Sequence, residues 1–595
     1  MPRGQTNSPQ VESTRGPSGA SSSWWRTLRR LNRKQWLYLP RLFSRNERLR
    51  MFTALIIAII AFVVLMSRLS ARFTVERPAV GGMLREGALT EPRFINPLYA
   101  TNDTDRDLTR LVFSRLIRYD RSGAVAMDLA EAIDVADGGK TYTVTVKPGV
   151  VWHDGESFSV DDVIFTIKTI QNPEYASPLR QNWQGVSVEK VNDRTLRLTL
   201  RQPYAPFLEN LSGGIIPEHL WRRIPPQGAL LSDLNTKPVG TGPYRFSKFT
   251  RLEDGTITSV VLTRNARYYG EGPYLKEVRF SFYPDAAELL AAYRKNEIDS
   301  FVFSPGMQLD APLLDSRRYE LRVPKIFGIF LNATNQQSFS RQAVRKALSL
   351  AIDREEILGA ASPSGGVIAS GAIPPGTFGF NPDIAPTPYD PEAARRLLAS
   401  DGWKDADRDG VLERTEGTGR NKTTQRLAVR LMTAESPELG VIAERVAAQW
   451  QAVGARAEVR TYPIQELEST VIRPRGYDAL VFGEVFGHDP DPFAFWHTSQ
   501  LKDPGLNIAL YSNLAVDRIL EEARRMADAD RRALQYHEFQ KIVDDEIGAI
   551  FLYSPNAVYA VRTTIRGITL GAISLLEERF DTASGWYTET RRAFR

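Results

Sequence analysis

Apolar residues recur along this chain in two rhythms. In TYTVTV (Thr141–Val146) they alternate with threonine, the period-2 pattern of a half-buried strand, and residues 191–200 (VNDRTLRLTL) repeat that character. Residues 259–270 lead into a second strand-like run, YLKEVRFSFYP, followed by the helical pattern AAELLAAYRKNEI. LRVPKIFGIFLN (321–332) predicts one further strand. Val344, Leu348 and Ile352 stand four apart and predict an amphipathic helix. PEAARRLLASDGW predicts a second, with Pro391 in its first turn, and residues 439–454 a third that stops at Gly454. ARAEVRTY then returns to strand. Such alternation predicts α/β lobes with chain crossovers between them, and no internal repeat is visible.

One run breaks both rhythms. Residues 51–66, MFTALIIAIIAFVVLM, hold no charged side chain over 16 positions, about 24 Å of helix, and flanking residues bring the span to 49–68. Arg41, Arg45 and Arg48 precede it, so the positive-inside rule places residues 1–48 in the cytoplasm and the body on the extracytoplasmic side. A cleaved signal peptide is the alternative. Against it stand the long basic head and Leu69, where a small residue is wanted before the nearest cleavage site. The expectation is an uncleaved, single-pass anchor in the cell membrane. Trp24, Trp25, Trp36 and Tyr38 among arginines predict a segment lying on the inner leaflet, after a Ser/Gly/Pro-rich start.

Charge follows the same division. Of 76 Lys/Arg and 70 Asp/Glu, residues 1–50 hold 11 and 2, so the basic balance belongs to the head and the body is slightly acidic. No nucleic-acid surface is expected on it. With 42% hydrophobic and 25% charged residues in 595, the body reads as packed and globular. The absence of cysteine excludes thiol catalysis, zinc-thiolate sites, iron–sulfur clusters and disulfides.

The stretch VKPGVVWHDGESFSVDDVIFTIK (146–168) places His153 beside Asp154 and then pairs two aspartates. Adjacent residues of a turn do not generally face each other, and no nucleophile is marked by its context, so an acid–base pair is not expected there. Ser159 reads instead as a helix cap with Asp162 three positions on, followed by Val163, Ile167 and Ile170 on one face. The glycines at 240–244 (GTGPY) lack the Lys-Ser/Thr of a phosphate loop and read as a tight turn before Tyr244. Arg345 and Asp353 read as framework and cap residues.

This region also carries a resemblance. Residues 128–170, IPEHLW, PVGTGPYRF, residues 262–299, FSRQAVRKALSLAIDREEIL and YDPEAARRLLASDGW occur in the order found in the extracellular solute-binding proteins of family 5. These are the peptide- and nickel-binding subunits of ATP-binding-cassette importers, and the chain resembles them over roughly residues 80–560. The resemblance implies an α/β fold of the periplasmic-binding-protein-like type II class, two large lobes with a hinge plus a smaller domain. Lobe one would gather 80–120, 220–320 and 550–595, the additional domain 121–219, and lobe two 321–549. It implies short peptides as ligands, permease subunits as partners, no catalysis and no required cofactor.

By the same resemblance the ligand-binding residues are Glu91, Asn332, Glu484, Phe486, His488, Asp489 and Trp496. In peptide-binding relatives an aspartate anchors the peptide amine, two variable residues before an Asp-Pro pair. Asp491-Pro492 leaves His488 at that position, and a neutral imidazole cannot replace a carboxylate there. Asp489 or Glu484 would take the role, or the ligand lacks a free amine in that place. For Phe486 and Trp496 pocket and core readings stand side by side, and Asp491-Pro492 reads as a turn. Asp405, Asp407, Asp409 and Glu416 match the first, third, fifth and twelfth positions of a calcium loop, with Gly410 at the sixth. The flank after Glu416 is not helical, so a bare acidic turn is the alternative. Other functional classes are a membrane-tethered ligand sensor and the same receptor holding a non-peptide solute such as chelated nickel.

Overall fold

The computed structural model describes residues 44–303, 307, 313, 315–417 and 422–594. The basic head through residue 43, with Trp24, Trp25, Trp36 and Tyr38, lies outside the described residues. The uncharged run 51–66 sits within the helix Arg45–Phe73, 29 residues or about 44 Å. Its Arg45–Leu69 portion is long and apolar enough to cross a membrane, by length and composition. Residues Pro78–Thr590 form a separate compact unit.

Within that unit apolar side chains collect into two main cores. One is built from Ile326 to Tyr553 and includes Phe330, Trp403, Trp450 and Trp496. The other joins residues 84–321 to 559–586. The four-stranded antiparallel sheet of Ala130–Ala136, Thr141–Val146, Thr195–Thr199 and Ser187–Asn192 belongs to the second core. Tyr142, Val144 and Val146 face inward along Thr141–Val146, as its alternation demands. The predicted single strand at 191–200 is a hairpin, turning at residues 193–194. The additional domain thus shares its core with lobe one instead of burying one of its own.

One strand ties the two cores together. Ile550–Arg562 pairs through Ile550, Phe551 and Tyr553 with Lys325–Leu331 of lobe two, and through residues 556–562 with Ser316–Arg322 of lobe one. The single strand expected over 321–332 is therefore two, interrupted at Val323-Pro324, because proline carries no amide hydrogen for a ladder. The chain passes between the two cores at Val323-Pro324 and, along Ile550–Arg562, next to Ser554-Pro555, after which Asn556 takes up the pairing with Arg322.

The stretch 146–168 folds as architecture. Ser159 caps the helix Val160–Gln171 in a full capping box with Asp162, and Val163, Ile167 and Ile170 are buried. His153 is clamped onto the 240–244 turn: Gly240 N donates to its Nδ1 at 3.2 Å and its Nε2 meets Gly242 O at 3.0 Å. A ring that accepts at Nδ1 and donates at Nε2 is neutral. Burial, with Arg245 and Arg267 nearby, pushes its pKa down to about 4. Asp154 turns away and pairs with His219 at 2.8 Å. Gly240 and Gly242 lie against the carbonyls of Leu111 and Val112, where a Cβ would stand 2.0 and 2.6 Å from oxygen. Arg345 holds the C-terminus of the helix Ala529–Glu546 through Ile547 O at 3.1 Å, and Asp353 caps the helix Arg354–Ala361.

Candidate ligand-binding site

A cavity of about 510 Å³ opens between the lobes, walled by lobe one, the additional domain and the tip of lobe two. Its apolar side comes from local patterning. Val163, Ile167 and Ile170 line it from the helix Val160–Gln171, and Leu179 and Trp183 from the turns that follow. Lobe two contributes Val485, Phe486 and Gly487, where the strand Ala479–Val485 ends. Phe486 N donates to Pro324 O at 2.8 Å, which holds this tip beside the crossing between lobes.

The polar side is a ledger of opposite charges. Arg110, on the helix Asp103–Val112, holds Asp581 at 2.5 Å, and Arg115 reaches the same carboxylate at 2.7 Å. Burial alone would raise Asp581, but the two guanidiniums outweigh it and keep the carboxyl below its usual range. Behind this layer Arg579 bridges Asp107 at 2.5 Å and Glu86 at 3.1 Å. Burial lifts Asp107 to about 7 against the pull of Arg579. Glu578 accepts from Ser574 N at 2.7 Å and meets His488 Nε2 at 2.8 Å. That bond and Arg110 overcome its burial and lower it. Glu577 keeps Oε2 buried without a hydrogen-bond partner, and burial raises it. Glu209 accepts His488 N on Oε1 at 2.7 Å, and burial pushes it up to about 7.

The residues expected from the sequence are dispersed by this geometry. Phe486 lines the cavity. His488 stands at its edge, stacked on Tyr119 with ring centres 3.8 Å apart and engaged by Glu578 and Glu209 from the opposite lobe and the additional domain. Asp489 does not line the cavity; it pairs with Arg532 at 2.8 Å inside lobe two. Glu484 is buried on its strand opposite Ile326, away from the cavity lining, with both oxygens unpartnered. Burial alone pushes its carboxyl up to about 8, so the acid is mostly protonated at neutral pH. Trp496 packs in the core among Tyr511, Phe539 and Phe551. Asn332 ties the far end of the strand Lys325–Leu331 to Arg475 O at 3.0 Å, and Glu91 accepts Ile257 N at 2.7 Å on lobe one. Neither of these two lines the cavity. Asp491 opens the turn before the helix Phe493–Trp496 and pairs with Arg524 at 2.8 Å.

Asp405, Asp407 and Asp409 place one oxygen each within 4.8 Å of one another on an exposed turn. Glu416 does not complete the expected set. It stands on the strand Glu413–Glu416 and pairs with Arg341 at 3.4 Å and with Arg414. Asp409 is itself paired with Arg426. Local spacing could not reveal these basic partners, which arrive from other segments.

Sequence reasoning passed over Glu209, Glu577 and Glu578, and over Arg110 and Arg115. Each sits in an ordinary helical or turn context, as in APFLENLS (Ala205–Ser212), and only the third dimension brings them to one cavity.

Comparison with known proteins agrees with this architecture. The model of the bacterial extracellular solute-binding proteins, family 5 middle, matches residues 124–505, more than half of the chain. The oligopeptide-binding protein AppA of Bacillus subtilis (strain 168) is 28% identical over 514 residues, covering 84% of this chain and 91% of that protein. Di/tripeptide-binding protein 1 of Pseudomonas aeruginosa (strain UCBPP-PA14) is 27% identical over 525 residues, 81% of this chain and 91% of that protein. The structure of AppA from Bacillus subtilis in complex with a nonapeptide superposes with a TM-score of 0.69 at 26% identity, covering 86% of this chain and 99% of that one. The fold is the type II periplasmic-binding-protein-like α/β architecture, and the chain belongs to the bacterial extracellular solute-binding proteins of family 5.

Proposed function

We propose that this chain is the substrate-binding component of an ATP-binding-cassette importer, capturing short peptides outside the membrane and handing them unreacted to permease subunits. The observation that carries this reading is the cavity of about 510 Å³ between the lobes, apolar on one wall and lined by both arginines and glutamates on the other. Its size falls within the range of small-ligand pockets, enough for about two or three residues. Trp183 and Phe486 offer broad walls that tolerate varied side chains. Two crossings at Val323-Pro324 and Ser554-Pro555 supply the hinge on which a ligand shifts the lobes toward closure. In the same reading the helix Arg45–Phe73 remains as a single-pass anchor, with the body on the extracytoplasmic side.

The test is to purify the full chain in detergent, unfold it and identify the released small molecules by mass spectrometry. A set of di- and tripeptides of mixed sequence is expected. A single non-peptide compound, or chemically altered products from added peptides, overturns the proposal.

A further inference from the structure

The helix Arg45–Phe73 is longer than a hydrocarbon core of about 30 Å requires; at about 44 Å it matches a bilayer with its headgroup layers. Its last turns, beyond Met66, therefore stand at headgroup depth, and they carry Arg68 and Arg72, four positions apart on one face. The strand Thr74–Ala79 begins at the next residue after the helix and pairs with Glu589–Phe594. Arg592 Nη1 reaches Thr74 Oγ1 at 3.5 Å across 518 positions. Farther along, a Cβ on Gly81 would meet the Glu589 carboxylate and one on Gly82 the Thr588 hydroxyl, so the strands run antiparallel and Phe594 returns toward the helix end. The helix, the first residues of its strand and residues 591–594 belong to one compact unit. Residues 68–79 and 589–594 carry five arginines against Glu76 and Glu589, in a body that is otherwise slightly acidic. All five arginines are exposed, and among the described residues none has a carboxylate partner. Arg72 complements the helix C-terminus, a role that accounts for none of the others. Exposed apolar side chains sit among them: Leu69, Phe73 and Phe594, the last 80% exposed. Arg592 and Phe594 share one face of their strand, by its period of two. Cations beside exposed aromatic rings, at the end of an apolar helix, make a surface suited to a headgroup layer.

Resting on the single-pass anchor reading above, we propose that this strand pair is a membrane-contact surface, taking the phosphates of anionic lipids on Arg68, Arg72, Arg591 and Arg592 while Phe73 and Phe594 seat in the interface. The partner is the leaflet from which the helix itself emerges, so no diffusional search is needed, and each arginine adds about fivefold to the attraction. Guanidinium groups suit phosphate, which they meet with two parallel hydrogen bonds. Residues 591–594 reach this place only because folding returns them to the helix end, and neither segment alone holds both halves of the patch.

The test uses the full chain reconstituted into vesicles of phosphatidylcholine, alone or with about 30% phosphatidylglycerol. The chain has no cysteine, so Ala593→Cys takes an environment-sensitive fluorophore at that one position. The basic head also meets phosphatidylglycerol, but the fluorophore reads only the strand that carries it. Its emission is expected to rise about twofold or more where phosphatidylglycerol is present, and to lose that gain in about 1 M salt, which screens the charges. Arg591→Gln with Arg592→Gln removes the gain, whereas the exposed body pair Arg222→Gln with Arg223→Gln keeps it. The inference is overturned, with the anchor intact, if emission ignores phosphatidylglycerol, if the first double variant keeps the gain, or if the second loses it as well. Release of the chain from the vesicles by alkaline carbonate overturns the anchor reading and this inference with it.

Discussion

Glu484 and His153 are two buried titratable residues whose surroundings oppose their charge, and neither lines the cavity. Glu484 sits on the strand Ala479–Val485 with both carboxyl oxygens unpartnered, and burial raises it to about 8. A group raised in the folded state contributes stability that is fully present below its unfolded pKa, near 4.5, and is lost as pH rises toward 8. Glu484→Gln is therefore expected to raise the thermal unfolding temperature at pH 8 and change it little at pH 5, a difference equivalent to about 2–4 kcal/mol. Equal effects at the two pH values would show that the carboxyl is not held neutral by burial. His153 shows the opposite leaning, since Gly240 N already occupies Nδ1 and a proton there has no place. Its residue type was plain in the sequence, and so was the turn around it. The partners at 240–242 were not, because they lie 87 and 89 positions away.

At the scale of elements, patterning was a good guide wherever burial is local. The capping box at Ser159, the strand Thr141–Val146 and the helix Pro437–Ala452, followed by Gly454 at φ 87°, stand where periodicity and caps put them. It failed at 321–332, where a continuous β-rich run hides a change of lobe at Pro324. At 405–416 the spacing does bring Asp405, Asp407 and Asp409 together, while the strand Glu413–Glu416 carries Glu416 to Arg341 and Arg414. The tip of lobe two, Val485 to Gly487, lines the cavity and meets Glu209 there. Gly487→Ala sets a methyl group against the Glu209 carboxylate, 1.9 Å from its nearer oxygen. By displacing Glu209 and the tip that carries Phe486, the variant should weaken binding of the tripeptide Ala-Leu-Ala by about tenfold, with little change in the unfolding of lobe two. Calorimetry alongside thermal unfolding checks it; undiminished affinity would mean the tip does not need that close approach.

The whole molecule depends on what joins the lobes. Apart from the two crossings, His488 of lobe two is held by Glu578 of lobe one, by Glu209 of the additional domain and by the Tyr119 ring. These contacts favour closure before any ligand arrives. His488→Ala removes the ring contacts and is expected to shift the unliganded protein toward open lobes by about 1–3 kcal/mol. Small-angle scattering in the absence of ligand would then report a larger radius of gyration than for wild type, and an unchanged profile would assign closure to other contacts. Added peptide should bring both proteins to the same compact form, since ligand binding across the cleft restores the bias.

Local order along the chain was enough to set the alternation of strands and helices, the uncharged run able to cross a membrane and the order of motifs that identifies the family. Each of these depends on residues a few positions apart, which meet whatever the rest of the chain does. The composition of the cavity was beyond such reasoning. His488 meets Glu578 across 90 positions and Glu209 across 279, and whether a carboxylate faces a guanidinium, a histidine or nothing is settled only when separate lobes approach. Electrostatic environment is a property of three-dimensional neighbours and of exclusion from water, so folding set Glu209 under the His488 amide at the cavity wall and left Asp489 a structural partner of Arg532.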